Sequence, residues 1–124
     1  MKTAEKNIIL YGIKSCDTVR AARKWLDEKG MSFSYHDMLV NGLAEETVAG
    51  WLDKINKDSL INRKGTTWRQ LEKEEQEQIN KSNRSDLAHI LAKKCKLIKR
   101  PILVFHEDVE IGFSPDQYRR TFGI

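Results

Sequence analysis

The chain has 124 residues, 32% of them charged, and a formal net charge of +4 at pH 7. This length fits one domain that buries a core without disulfides or a structural metal, and a charge of this size identifies no partner by itself. Two cysteines are too few for a disulfide framework and lack the paired Cys/His spacings of a zinc site, so both are predicted to be thiols in a reducing cytoplasm.

An apolar strand followed by an amphipathic helix is predicted near the start of the chain. The run Ile8-Ile9-Leu10 is the strand, and it is far too short for a signal sequence or a membrane span, so no membrane partner is expected. Beyond a short polar turn, Val19, Ala22 and Leu26 recur at helical spacing with charged residues between them. A cation and a glycine, Lys29-Gly30, are predicted to end this helix.

The next segment is predicted to complete a β-α-β-α order. Phe33 and Tyr35 alternate with polar residues as in a short strand, and Asn41-Gly42 is a turn signal. Residues 56–83 are highly charged and weakly periodic, so short surface helices are expected there. Between the turn and this stretch, apolar residues return at helical spacing: Val48, Trp51, Leu52 and Ile55.

A long helix and a β-hairpin are predicted in the last third of the chain. The apolar spacing over residues 87–91 predicts a helix that ends around residues 93–96. Residues 102–105 and 109–111 are predicted to be the strands of a hairpin that turns at Glu107-Asp108.

Proline and serine mark the boundaries of the final elements. Pro101 opens a strand, where a proline costs no ladder hydrogen bond. Ser114 and Pro115 are typical of the N-cap and first position of a helix. The whole order predicts an α/β fold of thioredoxin-like layout, with a mixed four-stranded sheet whose first strand pair is parallel and whose second is antiparallel. We expect a single domain over residues 1–124 with a helical insertion at about residues 43–94.

Cys16 is the candidate nucleophile. It lies where the first strand gives way to a helix, and the unpaired N–H groups and dipole of a helix N-terminus favour a thiolate, although the neighbouring Asp17 carboxylate opposes it. Val19 occupies the position three residues on, so no Cys-x-x-Cys pair is present and the adduct on Cys16 needs another thiol to resolve it. Cys95 is the internal candidate, but its place on an apolar stripe favours a buried structural thiol.

Other polar residues allow two interpretations. Arg63, in a turn-like stretch around Gly65, is either a clamp for an oxyanion or carboxylate or a surface charge. Five cations in residues 93–100 are interpreted as a solvated helix end, because no aromatic residues are interleaved with them, so no nucleic-acid partner is expected. The histidines share no metal-ligand spacing, so no metal is predicted. The tryptophans are expected to be packing residues, but the role of Trp68 is left open because it neighbours the Arg63 loop.

Four motifs, at residues 11–18, 62–69, 99–103 and 111–114, together span nearly the whole chain. In this order they closely resemble the arsenate reductase (ArsC)/Spx family, and within it the YffB-type proteins. The resemblance implies a thioredoxin-like fold with a helical insertion, an active-site cysteine at Cys16 and a cis peptide bond before Pro101. It also places Arg63 and Arg100 at the positions of two arginines that bind the anion in glutaredoxin-linked arsenate reductases.

Two residues depart from patterns within the family. Phe113 stands where such arsenate reductases have a third arginine, and losing that guanidinium removes a strong charge-assisted contact to arsenate. Val19 stands where Spx-type regulators, which bind RNA polymerase, have the second cysteine of a redox switch. Arsenate reduction and a non-enzymatic regulator that contacts RNA polymerase are therefore the alternative interpretations.

The interpretation we favour is a glutathione-dependent thiol reductase, an oxidoreductase with glutathione as co-substrate. The resemblance to YffB-type proteins implies that Cys16 accepts glutathione as a mixed disulfide and that Arg63 and Arg100 hold its carboxylates. The peptide bond before Pro101 would present backbone to an extended thiol-bearing substrate, as in thioredoxin-like proteins generally. Glutaredoxin is a further expected partner if the chemistry is that of an arsenate reductase.

Overall fold

The computed structural model describes residues 7–124, which divide into two compact units. The first unit comprises the described residues up to Met38 together with Arg100–Ile124, and the second comprises Leu39–Lys99. That both units belong to one domain stays a prediction. In chain order the elements are β1 (Ile8–Gly12), α1 (Asp17–Glu28), β2 (Ser34–Asp37), α2 (Met38–Asn41), α3 (Glu45–Lys54), α4 (Lys57–Leu60), α5 (Thr66–Arg69), α6 (Lys73–Lys81), α7 (Arg84–Lys93), a 3₁₀ helix (Cys95–Leu97), β3 (Ile102–Phe105), β4 (Asp108–Ile111) and α8 (Pro115–Phe122).

The first unit contains a mixed four-stranded sheet with the strand order β2-β1-β3-β4. Strand β1 pairs in parallel with β2, which places Gly12 opposite Asp37, and antiparallel with β3, which places Tyr11 opposite Ile102. Strands β3 and β4 form an antiparallel hairpin, so the predicted mixture of strand pairs is confirmed. Because of this register, β1 and β2 finish at the end of the sheet where β3 begins. We call it the Cys16 end, since the loop to α1 leaves from it.

The core of the first unit follows directly from the sequence periodicities. Ile8 and Leu10, two residues apart on β1, point to the same side of the sheet and pack with Ala22 and Leu26, four residues apart on α1. Leu103 of β3 joins them, and its side chain is fully buried. Burial of one such aliphatic side chain contributes roughly 2 kcal/mol to folding, so this cluster holds α1 firmly against the sheet.

Four aromatic side chains extend this core, and we call them the aromatic cluster: Trp25, Phe113, Tyr118 and Phe122. The rings of Trp25 and Tyr118 meet edge to face with centroids 5.7 Å apart, and those of Phe113 and Tyr118 do so at 4.8 Å. Such edge-to-face pairs add stability beyond the area that they bury. Trp25 and Trp51 are buried, in agreement with their predicted packing role, and Trp68, whose role had been left open, is buried as well.

Helix ends in the first unit lie where the capping residues predicted them. Gly30 follows Lys29, the C-cap residue of α1, and its φ of +69° is a left-handed conformation that stops the helix. The hydroxyl oxygen of Ser114 accepts the backbone N–H of Gln117 at 3.1 Å, and Pro115 is the first residue of α8. The N-cap and proline predictions are therefore confirmed.

Two boundaries differ from the prediction. The hairpin turns at His106-Glu107, one residue earlier than expected, because His106 adopts a left-handed φ of +57° and β4 begins at Asp108. A single helical turn, α2, follows β2 directly where only a turn had been expected. Both differences are local and leave the strand order unchanged.

The second unit is helical, and the apolar faces of helices α3 and α7 pack together. Val48 and Trp51 on α3 are buried, as are Leu87 and Leu91 on α7, and the two helices are in contact. Short helices α4, α5 and α6 occupy the charged stretch, as predicted. Within residues 7–124, no helix is both long and apolar enough to cross a bilayer.

Cys95 is buried, as predicted, but for a different structural reason. Helix α7 ends at Lys93, and Lys94 leaves the helical conformation with φ −121° and ψ 60°. The following 3₁₀ helix directs Cys95 and Leu97 inward, so only 6% of Cys95 is exposed. The apolar stripe therefore continues through a tighter helix rather than through α7 itself.

Candidate active site

Cys16 is the N-cap residue of α1. Its backbone is extended, with φ −84° and ψ 124°, and its carbonyl oxygen accepts the N–H of Arg20 as the first hydrogen bond of the helix, at 3.0 Å. Its own N–H donates to the carbonyl of Ile13 at 3.0 Å. The side chain is a free, partly exposed thiol. It therefore lies beside the unpaired N–H groups of a helix of 12 residues, a position that favours negative charge on sulfur.

A close approach between β1 and α1 sets the position of this helix start. A Cβ atom on Gly12 would lie 2.7 Å from both Cγ atoms of Val19, so only glycine allows the helix to pack this closely against the end of β1. The Val19 side chain is fully buried. Val19 is therefore a packing residue.

The carboxylate next to Cys16 has its own partner. Asp17 forms an ion pair with Arg20, one helical turn on, and its side chain is 91% exposed. Arg20 also approaches the carbonyl oxygen of Lys14 at 3.5 Å. A solvated and paired carboxylate opposes a thiolate less than an isolated one, because water and the guanidinium both screen its charge.

Asp37, which was missed in the sequence analysis, anchors the loop that carries Cys16. It ends β2 and is 8% exposed, and no other charged side chain is buried in residues 7–124. Its Oδ2 accepts the backbone N–H of Lys14 at 3.1 Å and lies 3.5 Å from the hydroxyl of Tyr35. The sequence signal was a carboxylate at the end of a predicted strand, beside the junction that carries the thiol.

Tyr35 reports the electrostatics of this region. Burial and the negative charge of Asp37 raise the pKa of Tyr35, while the guanidinium of Arg23, 4.0 Å above the ring centroid, acts in the opposite direction. Negative charge on Cys16 also raises this pKa. The Tyr35 hydroxyl therefore lies within electrostatic reach of both the carboxylate and the sulfur.

Pro101 lies at the same end of the sheet as the Cys16 loop. The peptide bond between Arg100 and Pro101 is cis, as the family resemblance implied. Pro101 is buried, and its carbonyl oxygen accepts the N–H of Gly112 at 2.8 Å. Because Tyr11 pairs with the residue after Pro101, the proline lies level with the end of β1. Arg100, which precedes it, is half-buried.

Arg63 belongs to the second unit, and its guanidinium has partners there. One nitrogen donates to Oδ1 of Asp58 at 2.9 Å and another donates to Oδ1 of Asn80 at 2.7 Å. The guanidinium carbon also lies 5.3 Å from the centroid of the buried Trp68 ring. The structure thus brings Cys16 and Pro101 to one end of the sheet, and it describes Arg63 within a separate unit. The anion-binding role of Arg63 stays a prediction.

The Arg63 loop is held at its base by backbone hydrogen bonds. The N–H of Asn62 donates to the carbonyl of Leu97 at 2.7 Å, and that of Lys99 donates to the carbonyl of Leu60 at 2.9 Å. These bonds flank a short antiparallel bridge between Ile61 and Ile98. The backbone before Arg63 is therefore tied to the 3₁₀ helix region.

Phe113 has a packing role. Its ring is part of the aromatic cluster, in edge-to-face contact with Tyr118 and 6.4 Å from the ring of Trp25. The position at which the resemblance places a third arginine of arsenate reductases therefore contributes to the core. In residues 7–124, no three His, Cys, Asp or Glu side chains are grouped so that they could hold a metal ion.

The sheet order, the cysteine at the start of the first helix and the cis-proline that opens β3 define a thioredoxin-like protein with a single cysteine at the Cys16 end of the sheet. The family model for the ArsC family matches residues 11–121, and the chain belongs to that family. The predicted fold and family are both confirmed.

Three similar proteins illustrate this relationship. An uncharacterised protein of Haemophilus influenzae is 36% identical over 121 residues, which cover 93% of this chain and 98% of that protein. A solved structure of the protein YffB is 32% identical, with a TM-score of 0.82, and the match covers 92% of this chain and 97% of that chain. The global transcriptional regulator Spx of Streptococcus pyogenes is 25% identical over 114 residues, which cover 90% of this chain and 82% of Spx.

Proposed function

We propose that this protein is a glutathione-dependent thiol reductase with Cys16 as its nucleophile. The observation that carries the proposal is the position of a free, partly exposed thiol at the N-cap of α1. A helix N-terminus stabilises both the attacking thiolate and a thiolate that leaves from the same sulfur. Pro101, at the same end of the sheet, supplies an adjacent backbone edge for an extended substrate.

The reaction consists of two thiol–disulfide exchanges. The thiolate of Cys16 attacks the glutathionyl sulfur of a mixed disulfide, forming a Cys16–glutathione disulfide while the substrate leaves as a thiolate and takes up a proton. The thiolate of a reduced glutathione then attacks the glutathionyl sulfur on Cys16. This step releases oxidised glutathione and restores the Cys16 thiolate, so the two electrons that reduce the substrate come from glutathione.

Two positions in the chain could in principle supply a resolving thiol, and the surroundings of each support the need for an external thiol instead. Val19, three residues after Cys16, packs against Gly12 in the core and offers no second sulfur. Cys95 is buried within the second unit. Glutathione is a small thiol of this kind, and its two carboxylates suit the cationic residues that we propose to hold it, Arg100 and Arg63. For Arg63 to receive a carboxylate, it must exchange its hydrogen bonds to Asp58 or Asn80.

The packing of Phe113 favours this function over arsenate reduction. Arsenate carries charge on several oxygens and is best held by several cationic donors, whereas Phe113 contributes an apolar ring to the aromatic cluster. The absence of a second cysteine at Val19 likewise disfavours a Cys-x-x-Cys redox switch of a regulator that binds RNA polymerase.

The test is exposure of the protein to oxidised glutathione, followed by mass spectrometry of the intact chain and its peptides. We expect one glutathionyl group on Cys16 in the wild type and in Cys95→Ser, no adduct in Cys16→Ser, and complete removal of the adduct by reduced glutathione. Cys95→Ser is the matched control, because it removes the other thiol only. An adduct confined to Cys95, or none on the native protein, would contradict the proposal.

A further inference from the structure

Asp37 is a buried charge that the proposed reaction does not use. Taking a carboxylate out of water is costly unless hydrogen bonds compensate for it. Two donors that compensate for it are a backbone amide of the loop before Cys16 and the hydroxyl of Tyr35. The location of Asp37 therefore calls for an explanation in terms of the loop that it binds.

The hydrogen bond from Lys14 to Asp37 ties the loop to a different element of the fold. The bond spans 23 positions in sequence, whereas the other backbone bond in this loop, from Cys16 to Ile13, is local. Ile13 itself is buried. The loop is thus fixed by a buried side chain at its start and by the Asp37 carboxylate at its centre.

We propose that Asp37 is a positioning residue, whose carboxylate holds the Lys14 amide so that Cys16 stays at the N-cap of α1. The inference rests on the proposed function of Cys16, because it assigns a role in presenting the same thiol. Asp37 acts through the loop and has no direct role in the exchange of disulfides.

The charge of Asp37 can be removed with or without its hydrogen bond to the Lys14 amide, and this makes the proposal testable. If the carboxylate acted through its charge alone, removing the charge with or without the acceptor oxygen would change the alkylation rate equally. Loss of the hydrogen bond loosens the loop, moves the sulfur away from the helix N-terminus and slows alkylation. Asp37→Asn removes the charge and keeps an oxygen acceptor of the same shape, whereas Asp37→Ala removes both.

The experiment measures the second-order rate of Cys16 alkylation by iodoacetamide at neutral pH, with Cys95→Ser as the background for every variant. We expect Asp37→Asn to react at least as fast as the parent and Asp37→Ala to react roughly tenfold more slowly. Tyr35→Phe is the control for the bond from the Tyr35 hydroxyl to Asp37. It keeps the ring under Arg23 and the Lys14 bond, so its rate should stay within about twofold.

An Asp37→Ala rate equal to or above that of Asp37→Asn would overturn the inference, because the carboxylate would then act by charge alone. A second measurement uses the Cys95→Ser parent and so does not depend on the folding of Asp37→Ala. The Lys14 amide should exchange its hydrogen at least tenfold more slowly than the Ser15 amide, which has no hydrogen-bond partner among residues 7–124. Equal exchange of the two amides would also overturn it.

Iodoacetamide alkylates Cys16 without glutathione, so the alkylation rates test the role of Asp37 independently of the proposed function. If Asp37 positions Cys16 but glutathione is not the co-substrate, the alkylation rates still follow the expected order while no glutathione adduct forms. If glutathione reacts at Cys16 but Asp37 has no positioning role, the adduct forms and the order of alkylation rates is not observed.

Discussion

Two glycines, one in each unit, allow an equally close approach to a neighbouring side chain, but the neighbours differ. A Cβ on Gly12 would lie 2.7 Å from both Cγ atoms of Val19, a stiff and fully buried side chain. A Cβ on Gly65 would lie 2.7 Å from Nδ2 of Asn62, the far end of a half-buried and flexible side chain. The first neighbour has nowhere to move, whereas the second can rotate away.

The two candidate functional groups near these glycines, the Cys16 thiol and the Arg63 guanidinium, are held in correspondingly different ways. Cys16 is held in place by the core beneath Val19 and by the buried Asp37 carboxylate. The guanidinium of Arg63 is held by side chains at the surface, and its partner Asp58 is 68% exposed. The thiol is therefore a fixed part of the fold, while the cation is held by contacts that a ligand can replace.

Replacing each of the two glycines by alanine should give the largest difference in stability between the site with the rigid neighbour and the site with the flexible one. Gly12→Ala forces a methyl group into Val19, and we expect it to lower the free energy of unfolding by about 2 kcal/mol. Gly65→Ala should cost under about 1 kcal/mol, because Asn62 can rotate and only an N-cap glycine is lost. Urea unfolding at neutral pH measures both.

Gly50→Ala is the matched control for these two variants. Gly50 lies within α3, and no atom from outside the local helix backbone lies within 4 Å of an added Cβ, so alanine there should raise stability by about 0.5–1 kcal/mol through helix propensity. Equal losses at Gly12 and Gly65 would show that the rigidity of the neighbour does not decide the cost.

A smaller effect should arise from Tyr118, at the centre of the aromatic cluster. Burial raises the pKa of Tyr118 well above its usual value. The hydroxyl is neutral in both the native and the unfolded chain below about pH 10, so stability falls only as the pH rises further, when the unfolded chain ionises and the native one does not. Tyr118→Phe should remove roughly 1 kcal/mol of this alkaline loss per pH unit.

At neutral pH, Tyr118→Phe should leave stability unchanged or slightly raised, since no residue in the described part of the chain pairs with the buried hydroxyl. Urea unfolding at about pH 7 and pH 11 provides the comparison, with Tyr35→Phe as a control at a less buried tyrosine. An unchanged alkaline slope in Tyr118→Phe would mean that this side chain is hydrated in the native protein.

The smallest expected effect concerns the surface pair of Arg63 and Asp58. Asp58→Asn should change the free energy of unfolding by less than about 0.5 kcal/mol, as is usual for exposed ion pairs. If Arg63 receives a carboxylate of glutathione, the same change should strengthen glutathione binding about twofold, and Arg63→Ala should weaken it. Isothermal titration calorimetry measures the two changes in glutathione binding, and urea unfolding measures the change in stability. A stability loss above about 1 kcal/mol in Asp58→Asn would show that the pair is structural.

Local patterns predicted most of the fold and part of the candidate site. The alternation around Tyr35, the helical spacing of Val19, Ala22 and Leu26, and the caps at Ser114 and Gly30 act over a few residues, so they can be recognised in the chain itself. The same holds for the thiol at a strand-to-helix junction.

The features that the sequence did not reveal depend on contacts between distant segments or on a change of helix type. The partners of Arg63 lie 5 and 17 positions away, and the partner of Lys14 lies 23 positions away. The burial of Cys95 depends on a change from α to 3₁₀ geometry after Lys93. No periodicity in the sequence records such pairings, because they arise only when the elements pack.

The amino-acid sequence by itself determined that a lone cysteine begins the first helix of a mixed α/β fold, because hydrophobic spacing and capping are local properties. Only the tertiary structure decided that a buried Asp37 holds the Cys16 loop, that Phe113 packs in the aromatic cluster and that Arg63 has partners in its own unit. The physical reason is that burial and hydrogen bonding between distant residues depend on how strands pair and helices pack. The chemistry of each residue sets only what it can do once it is placed there.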